Sequence, residues 1–194
     1  MSSSESPEIP IGLVGLGVVG SGLVQLLETH SKTLEKRSGL RFRIKTICSR
    51  TFANKARLKL SRYHKTKKWQ DVVADPEIKI VVELIGGTDT AYELIQAALK
   101  NGKHVVTANK AVLAKHGPKL FELAIKHRVE LFYEAAIGGG IPIVKIFKES
   151  LIGNRINEFY AIINGTTNFI LSQMVLKEAG FGEALRKAQE LGFA

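Results

Sequence analysis

The sequence predicts an α/β protein with a mostly parallel β-sheet. Hydrophobic periodicity alternates between strand and helix from Ile9 onward, which is the pattern of successive βαβ units. An apolar run at residues 11–14 opens directly into a glycine-rich turn, and a short apolar strand at residues 104–107 places Lys110 just beyond its end. Because ligands of open α/β sheets lie beyond the carboxyl ends of the strands, both segments are expected at one binding edge.

The predicted strands are short apolar segments bounded by turn residues. The second strand alternates in character, with Phe42 and Ile44 on one side and Arg41 and Arg43 on the other, which indicates that one face is buried. The strands are expected at residues 9–14, 40–48, 78–85, 104–107, 129–133 and 156–163.

The predicted helices carry apolar side chains at helical spacing. Leucines mark the first helix, and a polar stretch, residues 31–39, then leads to the second strand. Thr88 is a candidate N-cap, Pro118 suits the first turn of a later helix, and Thr166 or Thr167 suits the N-cap of another. The helices are expected at residues 18–30, 54–63, 92–100, 118–127, 143–151, 166–178 and 183–191.

Three consecutive glycines at residues 138–140 mark the expected domain boundary. They remove side chains where the backbone must turn sharply or approach a ligand. The sequence is therefore expected to divide into a polar tail at residues 1–8, a first domain at residues 9–140 and the start of a second domain at residues 141–194.

The composition is typical of a globular protein from a reducing compartment. A chain of 194 residues with 45% hydrophobic content can bury a core in one or two domains. Its apolar runs stay below the roughly 20 residues needed to cross a bilayer, and its polar start, MSSSESPEIP, resembles neither a secretory signal nor a transit peptide. The one cysteine, Cys48, excludes an internal disulfide and is expected to be a buried or neutral thiol. We therefore expect a cytoplasmic protein with no membrane partner.

The formal net charge of +10 comes largely from lysines and arginines concentrated at residues 32–68. A basic patch of this kind can bind nucleic acid, but few aromatic residues are interleaved and no nucleic-acid-binding motif is present. The alternative is a solvated basic surface near the phosphates of a cofactor. That alternative is favoured, and no nucleic-acid partner is expected.

Gly15, Gly17 and Gly20 form a G-x-G-x-x-G motif between a predicted strand and a predicted helix, which is the correct context for dinucleotide binding. In this motif Gly15 permits the tight turn, Gly17 lets the backbone approach the pyrophosphate, and Gly20 lets the helix pack on its strand. The helix N-terminus supplies free N–H groups and partial positive charge. A purely structural turn is the alternative; the context favours a Rossmann-type domain that binds a nicotinamide cofactor.

The end of the second strand indicates which nicotinamide cofactor is preferred. An acidic residue is expected there if the ribose hydroxyls of NAD are bound, but the strand ends in Cys48-Ser49-Arg50 with no carboxylate nearby. An arginine at this place can pair with a 2′-phosphate, which favours NADP, with NAD also accepted. An ordinary surface arginine is the alternative.

Two further residues are candidates for chemistry at the binding edge. Lys110 is either a charged donor or general base beside the nicotinamide, or a structural lysine that binds carbonyl groups. Glu134 ends a predicted strand before the glycine loop, and its carboxylate with loop carbonyls would form an all-oxygen site for a hard cation. The 5 histidines show no metal-binding spacing.

Taken together, the motifs resemble homoserine dehydrogenase over essentially residues 9–194. The motifs occur in order as GLGVVGSG, VVELIGGT, GKHVVTANKA, YEAAIGGGIPI, INGTTNFIL and AQELGF. The resemblance implies an oxidoreductase with a Rossmann domain, followed by an α+β substrate domain that forms a homodimer. It also implies the NAD(P)-dependent interconversion of L-homoserine and L-aspartate 4-semialdehyde, on the route to threonine and methionine.

The resemblance also implies roles for individual residues. Expected cofactor contacts are Leu16, Val18, Val19, Thr107, Lys110 and Gly192. Lys110 matches the lysine that touches both cofactor and substrate in the family. Glu134, with the carbonyls of Ile137, Gly139 and Ile141, matches the family's monovalent-cation site, which typically holds sodium.

The family pattern includes residues that this sequence lacks. In the family, the ELGY-like motif is followed by an acidic substrate-binding segment, an aspartate and a second lysine, the usual proton donor, whereas the present sequence ends at Phe193-Ala194. The second domain is therefore expected to be incomplete. We expect residues 1–194 alone to bind cofactor but to turn over homoserine poorly or not at all, because losing positioned acid–base groups commonly costs about 10²–10⁴-fold. A non-catalytic NADP-binding module or sensor that pairs with another chain is the alternative function.

Overall fold

The computed structural model describes residues 6–52 and 58–192. The chain forms two compact units, Met1–Lys148 and Glu149–Ala194. They divide a few residues after the boundary expected at Gly140, and the assignment of the two domains and of the polar tail stays a prediction.

The first unit is built on a six-stranded sheet in which each neighbouring pair is parallel. The strand order is β3-β2-β1-β4-β5-β6, which is the doubly wound order of dinucleotide-binding domains. The predicted α/β fold class is confirmed. The strands are β1 (Glu8–Val14), β2 (Arg41–Cys48), β3 (His64–Thr66), β4 (Ile80–Glu83), β5 (His104–Thr107) and β6 (Leu131–Phe132).

Helices cover both faces of the sheet, as a parallel sheet requires. Alternate strand residues point to opposite faces: Val81 and Val105 lie in one buried cluster, and Leu13 and Val82 lie in the other. The helices up to residue 145 are α1 (Val18–Ser38), α2 (Trp69–Ala74), α3 (Asp89–Lys100), α4 (Lys110–His127), α5 (Glu134–Ile137) and α6 (Ile143–Lys145). A 3₁₀ turn at Leu60–Arg62 and a π-helical turn at Ile146–Ser150 accompany them.

The register of the sheet aligns the ends of its strands. Cys48 pairs with Val14, Val14 pairs with Glu83, and Glu83 pairs with Thr107. At the far side of β2, Cys48 also pairs with Thr66. These residues form one row across the carboxyl edge of the sheet, so the loops that follow the strands emerge side by side.

Several helix boundaries differ from the sequence-based expectation, and α6 ends at Lys145 where a helix to residue 151 was expected. Helix α1 continues through the polar stretch at residues 31–38, because those residues are mostly good helix formers on an exposed surface and Gly39 (φ 71°) supplies the left-handed C-cap. Helix α3 begins directly after Thr88, whose side chain makes no capping hydrogen bond. Helix α4 begins at Lys110, so Pro118 lies inside the helix and not in its first turn.

Other expectations were wrong, incomplete or partly outside the described residues. The short elements β3, α2 and α5 were not predicted, because elements of three to six residues carry little periodicity. The strand expected at residues 129–133 is reduced to Leu131–Phe132. Residues 53–57 of the helix expected at 54–63 lie outside the described residues, and the described remainder contains only the 3₁₀ turn.

The second unit contains two packed helices, α7 (Gly165–Leu176) and α8 (Phe181–Glu190). They meet through Ile170, Ala184 and Ala188, which are buried. The N-cap of α7 is Asn164, which accepts a hydrogen bond from the Thr167 N–H at 2.8 Å, so neither threonine is the cap.

The strand expected at residues 156–163 is not formed, and this segment is exposed. A strand needs a neighbouring strand to satisfy its backbone groups, and the described part of this unit offers none. Within the described residues, no helix combines the length and the apolar character that crossing a membrane requires.

Candidate functional site

The glycine turn after β1 is held against the neighbouring strand ends. The Gly15 N–H donates to the Cys48 carbonyl at 2.9 Å. Gly15 has φ +110°, and a Cβ there would lie 2.5 Å from the backbone carbon and oxygen of Leu84. Both the backbone angle and the close approach of the β4 loop therefore require glycine.

The other two glycines of the motif have different surroundings. A Cβ on Gly20 would lie 2.0 Å from the Gly15 carbonyl oxygen, so Gly20 allows α1 to pack on the turn. A Cβ on Gly17 would meet nothing within 4 Å. Gly17 therefore borders open space, as expected if that space receives a ligand.

The N-terminus of α1 faces this open space without a side-chain cap. Gly17 occupies the N-cap position and makes no side-chain hydrogen bond, so the first N–H groups of the helix are available to an anion. Val18 and Val19 are 91% and 62% exposed, whereas Leu16 is buried. Two exposed valines beside a glycine turn indicate a surface that a ligand would cover.

A cavity of about 700 Å³ lies over the turn in the first unit. This volume is within the usual range of roughly 300–1,000 Å³ for small-molecule sites. Its lining residues come from the loops that follow β1, β2, β3 and β4, together with Thr90 of α3. They are Val14, Gly15, Leu16, Gly17, Cys48, Ser49, Arg50, Thr51, Lys67, Trp69, Leu84, Ile85, Gly86, Gly87 and Thr90.

One end of the cavity is basic. Arg50 follows β2 and Lys67 follows β3, and both side chains are exposed. Sequence patterns identify Arg50 but not Lys67 or Trp69, because β3 was not predicted. Once β3 is placed beside β2, with Thr66 paired to Cys48, Lys67 lies just beyond the end of its strand, as Arg50 does.

Cys48 lies at the end of β2 and lines the cavity. It is 5% exposed, and burial raises the pKa of its thiol to about 11. The expectation of a buried, neutral thiol is confirmed.

Behind the cavity wall, polar groups link the ends of β4 and β5. Glu83 and Thr107 are 0% exposed, and the Thr107 hydroxyl donates to the Glu83 carboxylate at 2.6 Å. The Asn109 side chain donates to the Gly87 carbonyl at 2.7 Å and accepts from the Val112 N–H at 3.1 Å, which caps α4. Glu83 lies in the VVELIGGT motif of the family resemblance, but no role was predicted for it, since a lone acid in an apolar strand has no distinctive pattern.

Lys110 is the first residue of α4 and lies at the carboxyl edge of the sheet. Its side chain is exposed, and no hydrogen bond or ion pair joins its ammonium to another described residue. Because the Lys110 ammonium binds no other described residue, it is available to a ligand. The structure therefore does not show the alternative role, in which Lys110 is a structural lysine that binds carbonyl groups.

Glu134 begins α5, and its two carboxylate oxygens accept the N–H groups of Val144 at 2.9 Å and Lys145 at 3.3 Å. The loop after α5 contains Gly139, with φ +62°, and the Ile141 carbonyl accepts the Ile143 N–H at 2.8 Å. Carboxylate and carbonyl oxygens are the ligand type that hard cations prefer, and an oxygen that accepts one N–H keeps a further lone pair.

Gly192, the remaining residue predicted to contact the cofactor, lies in the second unit. Gly192 has φ +75° and follows α8, with its N–H donating to the Gln189 carbonyl at 3.0 Å. Its proposed part in cofactor binding stays a prediction. Among the described residues, no group of three or more His, Cys, Asp or Glu side chains is placed to hold a metal ion.

Comparisons with known proteins agree with the geometry. A family model described as the NAD binding domain of homoserine dehydrogenase matches residues 15–134, and one described as homoserine dehydrogenase matches residues 142–194. The homoserine dehydrogenase of Synechocystis sp. is 46% identical over 188 residues, covering 96% of this chain and 42% of the relative. That of Neisseria gonorrhoeae is 44% identical over 186 residues, with the same two coverages.

A solved structure shows the same similarity in three dimensions. The crystal structure of a homoserine dehydrogenase from Thiobacillus denitrificans matches with a TM-score of 0.89 and 45% identity, covering 96% of this chain and 43% of that one. The chain therefore spans less than half the length of each of these three relatives.

Proposed function

The chain belongs to the homoserine dehydrogenase family, and we propose that it supplies the cofactor-binding part of an enzyme that interconverts L-homoserine and L-aspartate 4-semialdehyde with NAD(P). The observation that carries this proposal is the cavity over the glycine turn, at the carboxyl edge of a sheet with the doubly wound strand order. Because the chain spans 42% of the Synechocystis relative, the activity is proposed for the whole protein.

The glycine turn fits a dinucleotide on physical grounds. The open space beside Gly17 and the uncapped start of α1 would receive the pyrophosphate. Leu16, Val18 and Val19 would contact the cofactor along the turn. Thr107 is fully buried, so its part would be to position the neighbouring groups, and Gly192 is retained as a contact on the family resemblance.

We propose that NADP is preferred and that NAD is also accepted. Arg50 and Lys67 line the same end of the cavity, and two cations there would pair with a 2′-phosphate. Among the described residues, no acidic side chain lines the cavity to bind the ribose hydroxyls of NAD. Trp69 also lines the cavity and offers it an aromatic surface.

Removal of the arginine tests the cofactor preference. We expect Arg50→Ala to weaken NADPH binding by about 1.5–3 kcal/mol and to leave NADH binding nearly unchanged, because a charge-assisted bond to the phosphate is lost. Trp69 is the one tryptophan of the sequence and lines the cavity, so its fluorescence quenching by the reduced cofactor reports both affinities. Lys67→Ala should act in the same direction. Lys68→Ala is the matched control, and an unchanged NADPH affinity in Arg50→Ala contradicts the proposal.

When bound, a nicotinamide cofactor would supply hydride chemistry at C4 of the substrate. Lys110, exposed at the edge where the strands end, would hydrogen-bond the oxygen on C4. Its ammonium would donate a proton to that oxygen when the aldehyde is reduced, and its neutral amine would take the proton back when the alcohol is oxidised. The row of strand ends would hold the cofactor against this edge.

We propose a monovalent-cation site, with sodium as the expected ion, at Glu134 and the carbonyls of Ile137, Gly139 and Ile141. One carboxylate with neutral carbonyls suits a singly charged hard cation and offers zinc no nitrogen or sulfur ligand. The cation would neutralise Glu134 and stabilise the glycine loop.

A salt comparison tests the cation site. We expect sodium chloride to raise the melting temperature above its value in choline chloride of equal ionic strength, because an ion that binds only the folded state stabilises it. Glu134→Gln should abolish this difference. The exposed neighbour Glu130→Gln is the control. Equal melting temperatures in the two salts contradict the proposal.

The family resemblance also supports a proposal about the location, the oligomeric state and the pathway of the whole protein. We propose that the whole protein is a cytoplasmic homodimer that acts in threonine and methionine biosynthesis. It uses small-molecule substrates and no nucleic-acid or membrane partner.

Enzyme turnover tests the proposed function. It is measured on the longest protein that the gene encodes, which includes this chain. We expect reduction of NADP that depends on L-homoserine, together with cofactor-dependent quenching of Trp69 in residues 1–194. If cofactor binds but no homoserine is oxidised, the alternative of a non-catalytic NADP-binding module is supported. If neither occurs, both functions are excluded.

A further inference from the structure

The structure contains a fully buried carboxylate at the end of β4 for which the proposed mechanism has no use. Glu83 is 0% exposed and lies in register between Val14 and Thr107. None of the ion pairs among the described residues involves it. Burying a carboxylate is costly unless hydrogen bonds satisfy it, so its partners determine what it does.

The partners of Glu83 lie on two different loops. Oε1 accepts the N–H groups of Ile85 at 2.9 Å and Gly86 at 3.3 Å, in the loop after β4. Oε2 accepts the Thr107 hydroxyl at 2.6 Å, at the end of β5. One carboxylate therefore holds together the loop that lines the cavity and the strand that leads to Lys110.

The hydrogen bonds continue into the start of α4 and return to the first loop. Thr107 Oγ1 accepts the Asn109 N–H at 3.0 Å. Asn109 caps α4 through the Val112 N–H and donates from Nδ2 to the Gly87 carbonyl. The connections thus form a closed ring around the two loops. We call this ring, formed by Glu83, Thr107, Asn109 and the loop at residues 85–87, the loop clamp.

The direction of each bond in the loop clamp follows from its donors. Backbone N–H groups can only donate, so Glu83 Oε1 accepts from the loop after β4 and Thr107 Oγ1 accepts from Asn109, while the Thr107 hydroxyl donates its own hydrogen to Glu83 Oε2. An amide at position 83 would reverse this order. Its NH₂ group would donate to Thr107, and the displaced hydroxyl proton would need another acceptor in a fully buried place.

We propose that Glu83 is a positioning residue that holds Lys110 in register with the cofactor cavity by fixing the loop clamp. Leu84, Ile85, Gly86 and Gly87 form one wall of the cavity, and Lys110 directly follows Asn109. Loosening the clamp would let the cavity wall and the start of α4 move independently. The catalytic consequence rests on the proposed function, whereas the coupling between the loops does not.

The coupling is tested first by amide hydrogen exchange on residues 1–194, with no substrate. We expect Glu83→Gln to speed exchange not only at Ile85 and Gly86 but also at Asn109 and Val112, which Glu83 does not touch. Glu77→Gln is the matched control, since Glu77 is exposed and pairs with Lys45 at 2.9 Å. Faster exchange confined to the loop after β4 overturns the proposal, whether or not the protein is an enzyme.

The catalytic consequence is tested on the longest gene product that carries the chain. We expect Glu83→Gln to lower kcat roughly 10- to 100-fold, because small misplacements of a reacting group have effects of that size. The affinity for adenosine 2′,5′-bisphosphate, which lacks the nicotinamide half of the cofactor, should change much less than kcat. An unchanged kcat in an active enzyme overturns the proposal. An inactive wild-type protein refutes the proposed function instead and leaves the exchange experiment to decide the coupling.

Two substitutions at Thr107 separate hydrogen bonding from packing. Thr107→Val keeps the size of the side chain but removes the hydroxyl, and we expect it to match the exchange pattern and the kcat loss of Glu83→Gln. Thr107→Ser keeps the hydroxyl and should recover most of that loss. The double variant Glu83→Gln/Thr107→Val should be little worse than either single variant, because both break the same ring. The proposal is overturned if Thr107→Val keeps the wild-type kcat while Thr107→Ser loses it. It is also overturned if the kcat losses of the two single variants add fully in the double variant.

Discussion

Substitution of Lys110 by alanine should lower kcat for homoserine oxidation by about 10²–10⁴-fold, the usual loss when a positioned acid–base group is removed. The folded state should hardly change, because the ammonium is exposed and bound to no other described residue. The measurement is steady-state turnover of the longest gene product that carries the chain, with melting temperatures recorded beside it.

Two further variants identify what Lys110 does. Lys115→Ala is the matched control: Lys115 lies on the same helix and pairs with Asp89 at 3.3 Å, and an exposed pair contributes only about 0–1 kcal/mol. Lys110→Arg keeps the positive charge but does not exchange a proton at ordinary pH. If arginine restores turnover, the residue acts through charge alone, and turnover that survives in Lys110→Ala refutes its catalytic role.

Substitution of Gly20 by alanine should lower both stability and cofactor affinity. The new Cβ would lie 2.0 Å from the Gly15 carbonyl oxygen, and a clash with backbone cannot be relieved by a rotamer change. Overpacking of this kind costs about 1–3 kcal/mol, which urea denaturation measures. Because α1 must move away from the turn, we also expect NADPH affinity to fall roughly tenfold or more, equivalent to at least about 1.4 kcal/mol.

Gly17→Ala is the informative comparison for Gly20. A Cβ at Gly17 meets nothing within 4 Å, so urea denaturation should show a stability loss of less than about 1 kcal/mol, the usual effect of a changed N-cap residue. NADPH affinity, measured by Trp69 quenching, should nevertheless fall, because the methyl group occupies the space proposed for the pyrophosphate. Full NADPH affinity in Gly17→Ala means that the cofactor does not approach this turn.

The parts of the fold that the sequence predicted share a strong local signal. Strand β5 lies where its four-residue apolar run indicated, and the glycine turn lies between β1 and α1 as the motif required. The missed elements β3, α2 and α5 are short and depend on neighbours for their stability. The segment at residues 156–163 shows the reverse case: its apolar pattern is that of a strand, but the described second unit provides no strand to pair with it.

The sequence by itself determined the residue types and the order of the site: a glycine turn, a strand-end arginine and a strand-end lysine, each recognisable from its place directly after a predicted strand. Only the tertiary structure decided which residues from distant segments lie together. The register of four parallel strands brings Cys48, Val14, Glu83 and Thr107 into one row, and it places Lys67 beside the same cavity as Arg50. Periodicity reports whether a residue faces the core, but pairing across a sheet depends on contacts between segments far apart in the chain. The loop clamp around Glu83 is a consequence of that pairing, which no local pattern encodes.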